Sequence, residues 1–305
     1  MAQGSGEMDS AGQSGSTAVK GLAGLPYHLF VPQDRHPDGR VLVSIHGVSR
    51  NAREHLDLLQ PYAEHHGVAL IVPSFAADSY PDYQRMGRKG RGPRADLALI
   101  RLLNELGRVE GLDTDCVDIF GFSGGAQFAH RFAMAHSRRV RCLVLGAAGW
   151  YTMPDHQLSY PHGVADAEGL DGVRLNALAA ARLPTLVVVG EHDDCADDEE
   201  LNRSETVCRS QGLGRLQRAQ AWTRAMKVYA ADRGESSAVG LQLLSGVGHS
   251  FRDAVVEGDL GSRIFRHCYA PGLNPGLRKQ AHNPVEGSCN GQVSCQDHMG
   301  VLVES

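Results

Sequence analysis

The sequence predicts a doubly wound α/β fold, in which a mostly parallel central sheet is flanked by helices. Two observations predict it. Short β-branched runs alternate with longer amphipathic stretches along most of the 305 residues, the pattern of strand–helix–strand units joined by right-handed crossovers. Most of those runs are also apolar throughout instead of alternating with polar residues, as parallel strands covered on both faces require.

Taken in order, the expected strands are Tyr27 to Pro32, Val41 to Ile45, Val68 to Val72, Val117 to Phe120, Val140 to Leu145, Thr185 to Val189 and Leu241 to Leu244. Between them, Asn51 and Glu54 have the spacing of an N-cap and capping box, with Leu56, Leu59 and Ala63 on one helix face and Pro61 expected to bend or shorten the helix. Asp96 precedes a second apolar stripe, Leu99, Leu103 and Leu106, with Gly107 as the expected stop. Ala219, Trp222, Met226 and Tyr229 form a third stripe, read as core packing.

Composition narrows the function. A hydrophobic fraction of 42% against 21% charged excludes a mainly disordered chain, and a net charge of -5 argues against a general nucleic-acid binder. The longest apolar run, Cys142 to Met153, is too short to cross a membrane. Residues 1–20 read as a Gly/Ser-rich disordered leader without the pattern of a secretory signal, and 21–270 as one domain with a small cover segment near 150–172. Residues 271–305 read as a loop-rich tail. Seven cysteines at irregular spacing fit reduced thiols and a cytoplasmic setting. No phosphate-binding loop or dinucleotide fingerprint occurs, so no nucleotide cofactor is expected.

The chemistry concentrates at strand ends. Gly121-Phe122-Ser123-Gly124-Gly125 lies between a strand and a helix-compatible run, where a sharp turn presents a serine hydroxyl above the carboxyl edge of the sheet. A serine needs a base, and His249 follows the last clear strand in the loop Ser245-Gly246-Val247-Gly248-His249. The imidazole needs an acid. Asp193 at the end of Thr185 to Val189 is the first choice and Asp194 its rival, with Asp197 and Asp198 behind them. After Val41 to Ile45, the turn His46-Gly47-Val48 is placed to aim the Val48 N–H at a developing oxyanion, with the N–H of Gly124 as second donor. His46 and Gly47, with Trp150 and Tyr151 after Val140 to Leu145, are the expected substrate-binding residues.

With its nucleophile, acid and base in that order, the chain resembles the α/β-hydrolases over roughly residues 25 to 268. Tyr27 to Pro32, Ile45-His46-Gly47 and Gly149-Trp150-Tyr151 make it similar to the polyhydroxybutyrate-depolymerase-like and feruloyl-esterase-like esterases. The dienelactone-hydrolase-like enzymes, which it also resembles, carry cysteine where this chain has Ser123. The expected activity is hydrolysis of a small or medium carboxylic ester through an acyl-enzyme, without metal or other cofactor. Acyl transfer, amide cleavage or non-catalytic ligand binding on the same arrangement stay open.

Three further features read as structural. The basic loop Arg85, Arg88, Lys89, Arg91 and Arg94 reads as a solvated surface. Cys289, Cys295, His298 and His282 lack the spacing of a structural zinc site. Cys116, Cys142 and Cys268, beside apolar runs, read as small core residues.

Overall fold

The seven expected strands, joined by an unexpected short β1, form one eight-stranded sheet: β1 (Lys20–Leu22), β2 (Leu25–Phe30), β3 (Val41–Ile45), β4 (Ala69–Pro73), β5 (Val117–Phe122), β6 (Val140–Gly146), β7 (Thr185–Gly190) and β8 (Val239–Leu244). Their spatial order is β1-β2-β4-β3-β5-β6-β7-β8. The first two strands pair antiparallel at one edge and the rest run parallel. The computed structural model describes residues 20–22, 24–195 and 198–270. The expected leader up to residue 19, Asp197, and the whole tail with His282, Cys289, Cys295 and His298 lie outside the described residues.

Helices α1 (Ala52–His66), α2 (Ala95–Glu110), α3 (Gly124–Ala135), α4 (Ala177–Arg182), α5 (Glu205–Gln211), α6 (Arg215–Ala231), α7 (Phe251–Val256) and α8 (Leu260–Tyr269) complete the domain. Side chains alternate in direction along each strand, which explains the unbroken apolar runs. Val41, Val43, Ile45, Ile119, Val187 and Val189 pack into one core with residues of α2, α3, α4 and α6. Leu42, Phe120, Leu186 and Val188 pack into the opposite core with residues of α1, α7 and α8.

Several local expectations are corrected. The second strand begins at Leu25 and ends at Phe30, because its partners run from Tyr27 opposite Pro73 to Phe30 opposite Leu70. Asn51 does not cap a backbone N–H of α1; its side-chain amide bonds the Glu54 carboxylate at 2.7 Å. Pro61 lies inside that helix, which runs on to His66. Gly107 does not stop α2, which ends three residues later before Gly111 in a left-handed cap conformation. Gly107 instead leaves room for Thr114, whose hydroxyl would stand 2.6 Å from a Cβ there.

Sheet growth reverses at β3, which pairs with β4 on one side and β5 on the other. The connections leaving β3 and β5 therefore run to opposite sides of the sheet, and the carboxyl ends between them are the topological switch point at which open α/β sheets bind ligands.

Three imidazoles sealed in this interior make stability pH-dependent. His55 meets the Ser44 hydroxyl at 2.8 Å and stacks on Phe251. His130 donates from Nδ1 to the Ala126 carbonyl and accepts the Thr152 N–H at Nε2. His46 is bonded similarly, as described below. Burial pushes His46 down to about 4, and His55 and His130 well below the ordinary histidine value. The unfolded chain takes up these protons near pH 6.5 and the folded chain resists until lower pH, so stability is complete above about 6.5 and declines as pH falls towards 4. His46 alone accounts for about 3 kcal/mol of that loss. Urea midpoints at pH 7.5, 5.5 and 4.5 should fall steadily; a flat profile down to 4.5 overturns the expectation.

Candidate active site

Ser123 sits in the turn between β5 and α3 with φ at 53° and ψ at -115°, a backbone conformation that side chains other than glycine rarely adopt. The turn is held by the Ser123 N–H donating to the Gly146 carbonyl at 2.8 Å and by the Gln127 N–H donating to the Ser123 carbonyl at 3.1 Å. Its sharpness depends on two glycines. A Cβ on Gly121 would stand 2.3 Å from the Gly125 carbonyl oxygen, and one on Gly125 would stand 2.0 Å from that of Ile45. The helix thus starts in contact with both neighbouring strands, and the serine is raised above them.

His249 must reach Ser123 from the end of β8, three strand spacings away, or about 14 Å across the sheet. The loop after β8 covers that distance by folding back over β7. The Glu191 N–H donates to the Leu244 carbonyl at 2.9 Å and the His192 N–H to the Val247 carbonyl at 3.0 Å. Gly190 permits the crossing, since a Cβ there would lie 2.2 Å from the Val247 oxygen. The His249 ring stacks against Phe122, and Ser250 then caps α7 by accepting the Asp253 N–H.

Ser123, His249 and Asp193, spread over 127 residues of chain, form one hydrogen-bonded run. The Ser123 hydroxyl donates to His249 Nε2 at 3.1 Å, and His249 Nδ1 donates to Asp193 Oδ2 at 2.8 Å. Asp193 is buried, whereas its rival Asp194 is exposed. Ser123 is 7% exposed. Such a run can deprotonate a hydroxyl and hold the resulting imidazolium beside a carboxylate.

The turn after β3 lies against the serine. Gly47 comes within 3.4 Å of Ser123 Cβ, measured from the position its own Cβ would take. Val48 Cγ1 lies 3.0 Å from the corresponding position at Gly124. Among the described residues, neither the Val48 N–H nor the Gly124 N–H donates to another protein group. Two free donors flanking a serine hydroxyl are what a developing oxyanion needs.

His46 departs from the expected substrate contact. It is wholly buried, its Nδ1 donates to the Gly47 carbonyl at 2.8 Å and its Nε2 accepts the Phe75 N–H at 3.0 Å. With both nitrogens occupied, it braces the turn, and the Tyr83 hydroxyl adds a bond to its carbonyl at 2.9 Å.

Tyr151 is also corrected. It has no exposed surface, stacks on Trp222, and exchanges two backbone bonds with the Gln211 amide, so it packs as core instead of forming an aromatic wall. Trp150 is buried between the Arg131 guanidinium, 4.3 Å from its ring centroid, and His162. The segment from 150 to 172 forms no helix or strand. It is pinned by buried side chains: Arg131 bonds Thr152, the Trp222 indole of the third apolar stripe bonds the Thr152 carbonyl, and Arg218 bonds the Gly149 carbonyl just before the segment, the two arginines having no sequence signature.

The basic loop is largely neutralised internally. Arg85 and Arg88 both pair with Asp82, and Arg94 pairs with Asp96. Among the described residues, one trio has donor atoms close enough to share a metal: Asp118, Cys142 and Cys268. It lies near the start of β5 and β6, away from Ser123, and Arg40 and Arg141 already hold its carboxylate.

No protein family matches the sequence, and no curated protein does either. Solved structures do match in three dimensions. Poly(aspartic acid) hydrolase from Sphingomonas sp. KT-1 is 22% identical, over 84% of this chain and 99% of that one, with a TM-score of 0.69. Poly(3-hydroxybutyrate) depolymerase from Bordetella parapertussis is 24% identical, over 79% and 90%, with a TM-score of 0.64. An S-formylglutathione hydrolase from Agrobacterium tumefaciens is 14% identical, over 80% and 88%, with a TM-score of 0.55. These neighbours are α/β-hydrolases, and the fold of this chain is the α/β-hydrolase fold.

Proposed function

We propose that the protein is a serine hydrolase that cleaves carboxylic esters of small or medium size. One observation carries the reading: a positive-φ serine whose hydroxyl is bonded to an imidazole, itself bonded to a buried carboxylate, beside two unpartnered backbone N–H groups. In the proposed reaction Ser123 Oγ bonds to the ester carbonyl carbon while His249 Nε2 takes its proton. The carbonyl oxygen becomes an oxyanion held by the N–H groups of Val48 and Gly124. Asp193 keeps the imidazole in the tautomer with the proton on Nδ1 and stabilises its charged form. Collapse of the adduct breaks the bond to the alcohol oxygen, which receives the proton from His249. Water, deprotonated by the same imidazole, then releases the acid and restores the serine.

The limited cover supports modest substrates. The chain between β6 and α4 has no helix of its own and packs down on α3, α5 and α6, so it does not build the multi-helix cap that encloses a long acyl chain. A small-molecule ester as partner suits the net charge of -5, and among the described residues no helix is long and apolar enough to cross a membrane. A cytoplasmic setting belongs to the same reading, supported by free thiols at Cys116, Cys142, Cys195, Cys208 and Cys268.

The test is covalent labelling of Ser123 by a fluorophosphonate, followed by kcat/KM on p-nitrophenyl acetate, butyrate, octanoate and palmitate. We expect labelling at Ser123 and a maximum at acetate or butyrate. Absence of labelling overturns the hydrolase reading, and a maximum at octanoate or longer overturns the substrate size.

A further inference from the structure

Arg215, the first residue of α6, is 2% exposed and reaches the face of Asp193 that His249 leaves free. Its Nη1 donates to Asp193 Oδ1 at 3.2 Å and to Asp198 Oδ2 at 2.6 Å. The two oxygens of Asp193 are thus divided, Oδ2 to the imidazole and Oδ1 to the guanidinium. The backbone reinforces the seat: the Leu216 N–H donates to the Asp193 carbonyl at 3.3 Å. Gly214 lets the helix start press on the acid loop, since a Cβ there would stand 2.8 Å from the Asp194 carbonyl oxygen.

A guanidinium placed directly on this carboxylate creates an electrostatic conflict. The acid stabilises the imidazolium through its negative charge, and a neighbouring cation cancels that charge. Asp198 resolves the conflict. Asp193, Arg215 and Asp198 together carry one net negative charge, the same as a lone carboxylate, while the Nη1 bond holds Oδ1 opposite the oxygen that meets His249.

We propose that Arg215 and Asp198 form a charge-balanced clamp that orients Asp193 and sets the basicity of His249, with Arg215 as a positioning residue. The proposal rests on the hydrolase reading for its kinetic consequence, but its electrostatic consequence is measurable without turnover. The groups facing His249 are Ser123 from the end of β5, Asp193 and Asp198 from the segment after β7, and Arg215 from α6, with the uncharged Phe122 ring stacked on it. Removing the cation leaves two carboxylates near the imidazole and raises its proton affinity. Removing Asp198 leaves the cation uncompensated and lowers it.

The two substitutions should therefore shift His249 in opposite directions, which a purely structural role of the pair does not produce. The experiment measures the rate of fluorophosphonate labelling against pH for the wild type, Arg215→Met, Arg215→Lys and Asp198→Asn. We expect the acidic limb to rise by about half a pH unit or more in Arg215→Met and to fall by a similar amount in Asp198→Asn. Arg215→Met should also label at least about tenfold more slowly at its optimum, because Asp193 Oδ1 is no longer held and the acid is less well aimed at His249. Arg215→Lys keeps the charge, so its limb should stay near the wild-type position. In parallel, the His249 ring is titrated by NMR in a Ser123→Ala background, and thermal melts check that each variant folds.

Limbs and titrations that do not move, or move in the same direction, overturn the clamp. If Arg215→Met fails to fold, a limb that does not fall in Asp198→Asn is sufficient to overturn it. Opposed NMR shifts in a protein whose wild-type Ser123 never labels support the clamp while overturning the hydrolase reading, so the two failures are distinguishable.

Discussion

Ser123→Ala should reduce ester turnover by at least about 10⁴-fold while leaving the fold intact. The substitution removes the hydroxyl that meets His249 Nε2 at 3.1 Å but keeps the Cβ, so the turn and its packing persist. The stability change should stay near 1 kcal/mol, the worth of one hydrogen bond. Ser123→Gly should melt higher than Ser123→Ala, because glycine relieves the φ of 53°. Asp193→Asn should also lose about 10³-fold or more, since the amide no longer stabilises the imidazolium and favours the wrong tautomer. Asp194→Asn, at an exposed position, should change little. Turnover near the wild-type rate in Ser123→Ala would sink the mechanism, and a severe Asp194→Asn with a mild Asp193→Asn would reassign the acid.

Gly125→Ala should be among the most damaging single-methyl additions in the molecule. Its Cβ would stand 2.0 Å from the Ile45 oxygen, 2.6 Å from the Ile45 carbonyl carbon and 2.7 Å from the His46 oxygen, all backbone atoms that no rotamer change can move. Helix α3 must then withdraw from β3, and the N-terminal N–H of Gly124 withdraws with it. We expect a destabilisation of about 4 kcal/mol or more, at the extreme of point-mutant effects. Gly240→Ala is the control: its Cβ would find only the Thr185 oxygen at 4.0 Å, on the edge strand β8. Equal urea midpoints for the two variants would show that the nucleophile turn tolerates a methyl and that its glycines are not steric requirements.

What the sequence determined by itself was periodic or local. Apolar runs such as Val41 to Ile45 and Thr185 to Val189 announced strands covered on both faces, because alternating side chains feed two cores. The pentapeptide around Ser123 announced its sharp turn, because only glycine leaves room for a strand and helix that meet backbone to backbone. Loop positions after strands made His249 and Asp193 visible, since parallel strands deliver their carboxyl ends to one edge. The tertiary structure decided what depends on direction and on distant partners. Asp193 and Asp194 are adjacent and chemically identical, and the seating of α6 on that loop determines which one turns inward. His46 and Tyr151 carry the right chemistry at the right strand ends, yet Phe75, Gln211 and Trp222 draw them into the interior. Arg215 and Arg131 had no signature at all, because an arginine on a helix reads as solvent-exposed until burial and hydrogen bonding place it inside. The physical reason is common to these cases. Backbone periodicity is encoded within a few residues, whereas the pairing of buried polar groups is settled by segments tens of residues apart that meet only after the sheet has assembled.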